Sequence, residues 1–330
     1  MESTMNKRIH RAVTAGLAVV ALVGVAACGS KSGGGSTGGS IGSNKSFSMK
    51  GATFKVGAKE FTESRILGYI TADALTAAGA KTTNSNLTGS STVRTSLTSG
   101  RLDMYWEYDG TAWLTYLKEP SPIKSGEPAQ YAATAKGDLA KNQVKWLTAS
   151  GVNDSYGVAM RGDATGDLGK ITTLSEMAAY MNAHPGDATF CGAAEFLNRN
   201  DGFPNIEKSY GFKITPAHLA TVDLALDYTQ VAKGKPCNFA EIFTTDGRIQ
   251  TLKLKVLKDD KNAFGTYVAG LTVRNSVYTK YSKQFDGIFA AISPKLTSDV
   301  MIGLNKQVDV DGKKPEDVAK SWLKSEGFIS

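Results

Sequence analysis

The chain has 330 residues, a formal charge of +7, 41% hydrophobic and 21% charged residues, which fits one or two globular domains and excludes wholesale disorder or a small metal- or disulfide-held scaffold. Cys28, Cys191, Cys237, His10, His184 and His218 show no C-x-x-C or H-E-x-x-H spacing, so no metal site is expected. No run of Lys and Arg interleaved with aromatics supports a nucleic-acid partner.

At the start, Lys7, Arg8 and Arg11 precede an apolar run from Ala12 to Ala27, too short for a comfortable membrane span, and residues 1–27 read as a signal peptide. The run closes in Val25-Ala26-Ala27-Cys28, which resembles a bacterial lipobox with Cys28 as the lipid-bearing residue. An ordinary signal peptide cut near Ala27, with Cys28 incidental, is the alternative. Loss of Glu2, Lys7, Arg8 and Arg11 leaves a formal charge of +5, which suits a surface beside anionic lipid. Residues 28–51 are then the lipidated Cys and a Gly/Ser-rich flexible tether. Its glycines follow no strand signal, which argues against a phosphate-cradling loop.

From Ala52 short apolar strands alternate with amphipathic helices, the pattern of an α/β protein. Thr53 to Val56 reads as a strand. Thr62 can cap a helix whose Ile66, Leu67, Ile70, Ala74 and Ala77 recur at helical spacing, with Gly79 placed for a left-handed C-terminal cap. A short helix from Thr92 to Ser99 stops at Gly100. Leu102, Met104 and Trp106 then alternate with Asp103, Tyr105 and Glu107, which puts Tyr108 at the carboxyl end of a strand, where open α/β sheets bind ligands.

Further along, 155–160 and 189–192 read as strands and 174–181 as a helix. Leu219 to Ala232 reads as helical and 238–243 as extended, and Leu252, Leu254 and Val256 alternate with lysines. Tyr267 to Arg274 reads as a strand, followed by helices over 283–292, 297–305 and 315–327. About 280 residues divide naturally into two α/β lobes. Outside the cytoplasm Cys191 and Cys237 read as a disulfide, worth roughly 4 kcal/mol in the chain-entropy model, with two buried free thiols as the alternative.

Five segments carry a family resemblance: VGAKEFTESRILGYITADALTAAG, LDMYWEYDGTAWLTYL, NDSYGVAM, EFLNRNDG and FTTDGRIQTLKLKVLKDDK. In this order the chain resembles the substrate-binding proteins of ABC importers for quaternary ammonium compounds, the glycine betaine/carnitine/choline family. The resemblance implies a two-lobed periplasmic-binding-protein fold of type II, closing on its ligand at a hinge. Lobe 1 would comprise residues 52–153 plus 264–330, and lobe 2 residues 154–263. It also implies an aromatic cage of Tyr108, Tyr156, Phe243 and Tyr267 around the ammonium group, with Lys59, Thr111 and Arg199 as donors to a ligand carboxylate. Family members commonly carry Thr in place of Asp109 and Tyr in place of Phe243. Asp109 turned inward would favour choline over betaine, and turned to solvent it would change nothing.

These residues point to a lipid-anchored, monomeric binding protein on the extracytoplasmic face that serves a membrane permease, without cofactor or catalysis. No G-x-x-x-x-G-K-[ST] loop is present, so transport energy would come from a separate ATPase. A receptor for choline or another cationic or amino-acid-like ligand is the alternative, as is a sensor in the same fold. An extracytoplasmic enzyme is a third reading. Asp154, Ser155 and His184 lack a G-x-S-x-G elbow to assemble them. Asp309 to Gly312 begins like a calcium loop, but Lys320 stands at the twelfth position where a Glu is required, which leaves a turn.

Overall fold

The computed structural model describes residues 40–119 and 127–330. The expected signal peptide and Cys28 lie outside the described residues. Among the described residues no helix is long and apolar enough to cross a membrane.

Ten strands form two sheets. They are β1 (Thr53–Lys59), β2 (Lys81–Leu87), β3 (Met104–Tyr108), β4 (Val144–Asn153), β5 (Tyr156–Arg161), β6 (Phe190–Gly192), β7 (Leu219–Thr221), β8 (Phe239–Phe243), β9 (Leu254–Val256) and β10 (Val268–Arg274). The first sheet has the order β2-β1-β3-β10-β4 and the second β7-β6-β8-β5-β9. Each sheet has three parallel strands followed by one antiparallel neighbour on the open side: β10 against β3, and β5 against β8. The chain crosses between sheets twice, directly from β4 into β5 and again between β9 and β10.

The first sheet is packed on both faces, which explains its central strand. Met104, Trp106 and Tyr108 of β3 enter the core built on Phe54, Ile66, Ile70 and Phe285, while Tyr105 enters a smaller core with Val93, Leu97 and Trp146. The alternation in the sequence therefore separates two cores rather than core from solvent. Trp106 keeps its buried indole N–H satisfied by donating to Thr71 Oγ1 at 2.8 Å. The helix Thr62–Ala77 lies across this sheet and packs against Pro315–Ser325. Gly79, at φ +96°, follows its last turn in the left-handed region, where glycine carries no steric cost. The cap at the other end differs from the expectation: Phe61 is the N-cap residue, and Thr62 is already helical, its hydroxyl donating to Asp309 Oδ1 at 2.5 Å.

Other elements depart from the sequence reading, and three of them show why. Leu219–Thr221 is the edge strand β7, and the helix begins only at Leu224 after Asp223, because the Leu219 register parallel to Phe190 outweighs a three-residue helical pattern. The edge strand β2 carries too few apolar residues to be read as a strand, and its side chains are mostly exposed. Residues 40–51, expected as the end of the tether, pack on the first sheet's lobe. Ile41 and Met49 are buried, the Ile41 N–H donates to Phe328 O at 2.8 Å, and the Met49 N–H donates to Ala78 O at 2.7 Å. Those apolar side chains anchor what Gly/Ser composition alone assigns to coil.

Cys191 of β6 is bonded to Cys237, just before β8, with 5.6 Å between their Cα atoms. The bond ties together two neighbouring parallel strands of the second sheet.

Candidate functional site

Six strand ends face one cavity. The parallel strands β1, β3, β6 and β8 deliver their carboxyl ends there, and the antiparallel β5 and β10 begin there, so Lys59, Tyr108, Phe243, Tyr156 and the residue before Val268 all converge. Ligands of open α/β sheets bind at such carboxyl ends because loops leaving parallel strands diverge around them. The cavity encloses about 520 Å³, counting its open mouth. Its walls include all seven binding residues named from the sequence: Lys59, Tyr108, Thr111, Tyr156, Arg199, Phe243 and Tyr267. Glu60, Phe61, Ser90, Asp154, Glu195 and Glu241 also line it.

The aromatic rings form a continuous wall. Tyr156 and Phe243 face each other across the β5–β8 ladder with centroids 5.2 Å apart, and Tyr267 meets Tyr156 edge-on at 5.5 Å. Phe61, absent from the sequence expectation, joins Phe243 at 5.1 Å to Tyr108 at 5.9 Å and so links the two sheets. The signal for it was available: Phe61 follows the carboxyl end of β1 as Tyr108 ends β3. The phenol groups are engaged behind the rings. Tyr108 Oη donates to Glu63 and Tyr267 Oη to Asp201, each at 2.8 Å. Burial pushes the Tyr108, Tyr156 and Tyr267 phenols well up, so they stay neutral.

The expected donors are already bonded, and Lys59 Nζ lies over the Tyr108 ring, 5.1 Å from its centroid. Lys59 Nζ donates to Glu107 Oε1 at 2.6 Å, and that carboxylate also accepts from Tyr105 and Tyr116. Arg199 donates through Nε to Asp201 at 2.8 Å and through Nη1 to Glu195 at 2.7 Å, and its other arm reaches Thr111 Oγ1 at 3.4 Å. Arg199 thereby joins the two sheets' loops across the cavity. Its guanidinium also lies over the Tyr156 ring, 5.6 Å from the centroid. The carboxyls of Asp154 and Glu241 are pushed up chiefly by burial, which favours their neutral forms.

Asp109 takes neither placement considered from the sequence. It is fully buried and outside the cavity wall, and its Oδ1 accepts the Val268 N–H at 2.8 Å. Ladder pairing between β3 and β10 ends at Tyr108 and Ala269, so the next N–H of β10 needs a side-chain acceptor, which Asp109 supplies. Burial raises its carboxyl to about 7. Beside it, a Cβ on Gly110 would meet Thr266 O at 2.3 Å, so this position must be glycine for the turn to seat against Tyr267.

The chain that builds this cavity between two sheets has counterparts among known proteins. The family described as the substrate-binding domain of an ABC-type glycine betaine transport system matches residues 52–325. The chain belongs to this family. A glycine-betaine-binding protein of Pseudomonas aeruginosa is 33% identical over 282 residues, covering 84% of this chain and 89% of the relative. The glycine betaine-binding protein YehZ of Escherichia coli is 30% identical over 282 residues, covering 83% and 90%. A solved glycine betaine/carnitine/choline ABC transporter structure superposes with a TM-score of 0.65 at 26% identity, covering 84% of this chain and all of that one. The two-lobed periplasmic-binding-protein architecture is thus shared, and the chain is an extracytoplasmic substrate-binding protein of an ABC importer.

Proposed function

We propose that the chain holds a quaternary ammonium osmolyte, such as glycine betaine, against its aromatic wall and passes it to a membrane permease without covalent chemistry. The observation that carries this reading is the unbroken run of Tyr108, Phe61, Phe243, Tyr156 and Tyr267 along one cavity. A trimethylammonium group has no N–H to donate and spreads its charge over methyl groups, so ring faces hold it better than acceptors do. At about 0.5–2 kcal/mol each, four cation–π contacts with desolvation reach the roughly 8 kcal/mol of micromolar binding.

In this reading Tyr108, Tyr156, Phe243 and Tyr267 surround the ammonium head with Phe61, and Lys59, Thr111 and Arg199 border the ligand's polar end. Asp109 acts on selectivity only through the strand that carries Tyr267. Lobe 1 runs over 52–153 plus 264–330 and lobe 2 over 154–263, and they close as a hinge. Cys28 carries the lipid that holds the monomer beside its permease. Calorimetry with glycine betaine, proline betaine, carnitine and choline tests the reading. Micromolar binding of at least one is expected, and a folded protein that gives no heat with any of them overturns it.

A further inference from the structure

The charges around the cavity sort ligands within the quaternary ammonium class, an inference that rests on the reading above. Lys59 and Arg199 are the cations on the cavity wall among the described residues, and both are matched. Glu107, with no exposed surface, takes Lys59 Nζ at 2.6 Å. Asp201 grips Arg199 through both its oxygens, and Glu195 takes a third N–H at 2.7 Å. The arms left over reach Tyr156 Oη at 3.3 Å and Thr111 Oγ1 at 3.4 Å. Burial would raise the Glu195 carboxyl, but Lys59, Arg199 and the Ser90 N–H outweigh it and hold it at about 2, so it is ionised.

Three carboxylates therefore bond directly to the two cations of the cavity, Glu107 to Lys59 and Glu195 and Asp201 to Arg199. A betaine is neutral overall, and its carboxylate would enter as a fourth anion without an unmatched cation to receive it. A quaternary ammonium alcohol brings one net positive charge, which balances the set, and its hydroxyl finds acceptors in Glu195 and Glu241 on the wall. We propose that Glu107, Glu195 and Asp201 make this pocket select a net-positive quaternary ammonium alcohol over a zwitterionic betaine.

The test is calorimetric titration of the whole mature chain with choline and with glycine betaine as probes. Choline is expected to bind at least tenfold tighter. Glu195→Gln removes one anion and frees an arm of Arg199, and Glu107→Gln frees Lys59; each should narrow the choline-to-betaine ratio at least threefold by strengthening betaine. Equal or tighter betaine binding by the unaltered protein overturns the proposal and leaves the quaternary ammonium reading standing. Failure of both probes with folded protein overturns the proposal, and with carnitine and proline betaine also silent it removes the reading. A ratio unchanged in every folded variant overturns the assignment of selectivity to these carboxylates.

Discussion

Glu63, in the first turn of the helix Thr62–Ala77, accepts a hydrogen bond from Thr245 Oγ1 at 2.7 Å and so joins the first sheet's side of the cavity to the loop leaving β8. The same hydroxyl lies 2.7 Å from Asp154 Oδ1. One hydroxyl proton serves one carboxylate, so the second carboxyl must bring its own proton to bridge to Thr245. Burial drives this: it raises the Glu63 carboxyl against three hydrogen bonds that lower it, and it raises Asp154 further together with the charge of Glu63. Asn305 adds a bond to Thr245 O at 3.0 Å. Glycine at 247 permits the approach, since a Cβ there would lie 2.7 Å from Lys306 Cα.

Thr245→Val keeps the shape of the side chain and removes this bridge. At about 1 kcal/mol for a net hydrogen bond, ligand affinity should fall roughly fivefold or more. Small-angle scattering of the unliganded variant should show a larger radius of gyration. Unchanged affinity and scattering would mean that the contact does not bias closure. Because both carboxyls are raised, the bridge is intact at low pH and is lost as pH climbs through their raised values.

Ring faces, not phenol groups, should carry ligand affinity. Tyr156→Ala and Tyr267→Ala are each expected to weaken binding by more than about 1 kcal/mol, and Phe61→Ala by a similar amount. Tyr267→Phe keeps the ring and loses only the bond to Asp201, so it should retain most affinity. Titration of the four variants checks this. Full affinity in Phe61→Ala would show that the link between the sheets is structural packing alone.

The sequence made the strand ends legible because each cavity residue sits in a short local run next to a strand: Lys59 after β1's apolar residues, Tyr108 after Trp106, Tyr156 before Val158. What it could not show was which side chains the tertiary fold consumes. Glu107 alternates with apolar neighbours like a solvent-facing residue, yet it is fully buried under Lys59 and two tyrosines. Asp109 looks like a cavity or surface residue, yet its position is set by an N–H on β10, 159 residues away in the chain. The same limit hid β2, whose polar residues KTTNSNL are strand only because β1 pairs with them throughout. The packing of Ile41 and Met49 was hidden for the opposite reason, since two apolar residues are diluted by glycine and serine on either side.

The Cys191–Cys237 bond spans 46 positions. In the chain-entropy model a loop of that size is worth about 4 kcal/mol, with a typical range of 2–4 kcal/mol for measured cases. Replacing both cysteines by alanine should therefore lower stability by about 2–4 kcal/mol in denaturant unfolding. Both sulfurs lie in a small core with Val231 and Ala240 rather than on the cavity wall, so affinity for ligand in the folded variant should change less than twofold, on the order of 0.4 kcal/mol.

Asp227 gives the fold a pH dependence that can be isolated. It lies in the helix Leu224–Lys233, fully buried, with neither carboxylate oxygen hydrogen-bonded. Burial pushes it up to about 8, outweighing the pull of Arg248 the other way. Between the ordinary carboxylate range and that value, the unfolded chain releases a proton that the folded protein keeps. Stability is then lost as pH rises from about 4 to about 8, and the loss levels off above it. Asp109, at about 7, contributes with the same sign, so part of the slope persists when Asp227 is changed. Asp227→Asn should match the unaltered protein near pH 4 and exceed it at pH 8 by more than about 1 kcal/mol, because only the aspartate loses stability as its unfolded form ionises. Urea unfolding at three pH values across that window measures it, and parallel curves for the two proteins would show that Asp227 is not kept protonated in the fold.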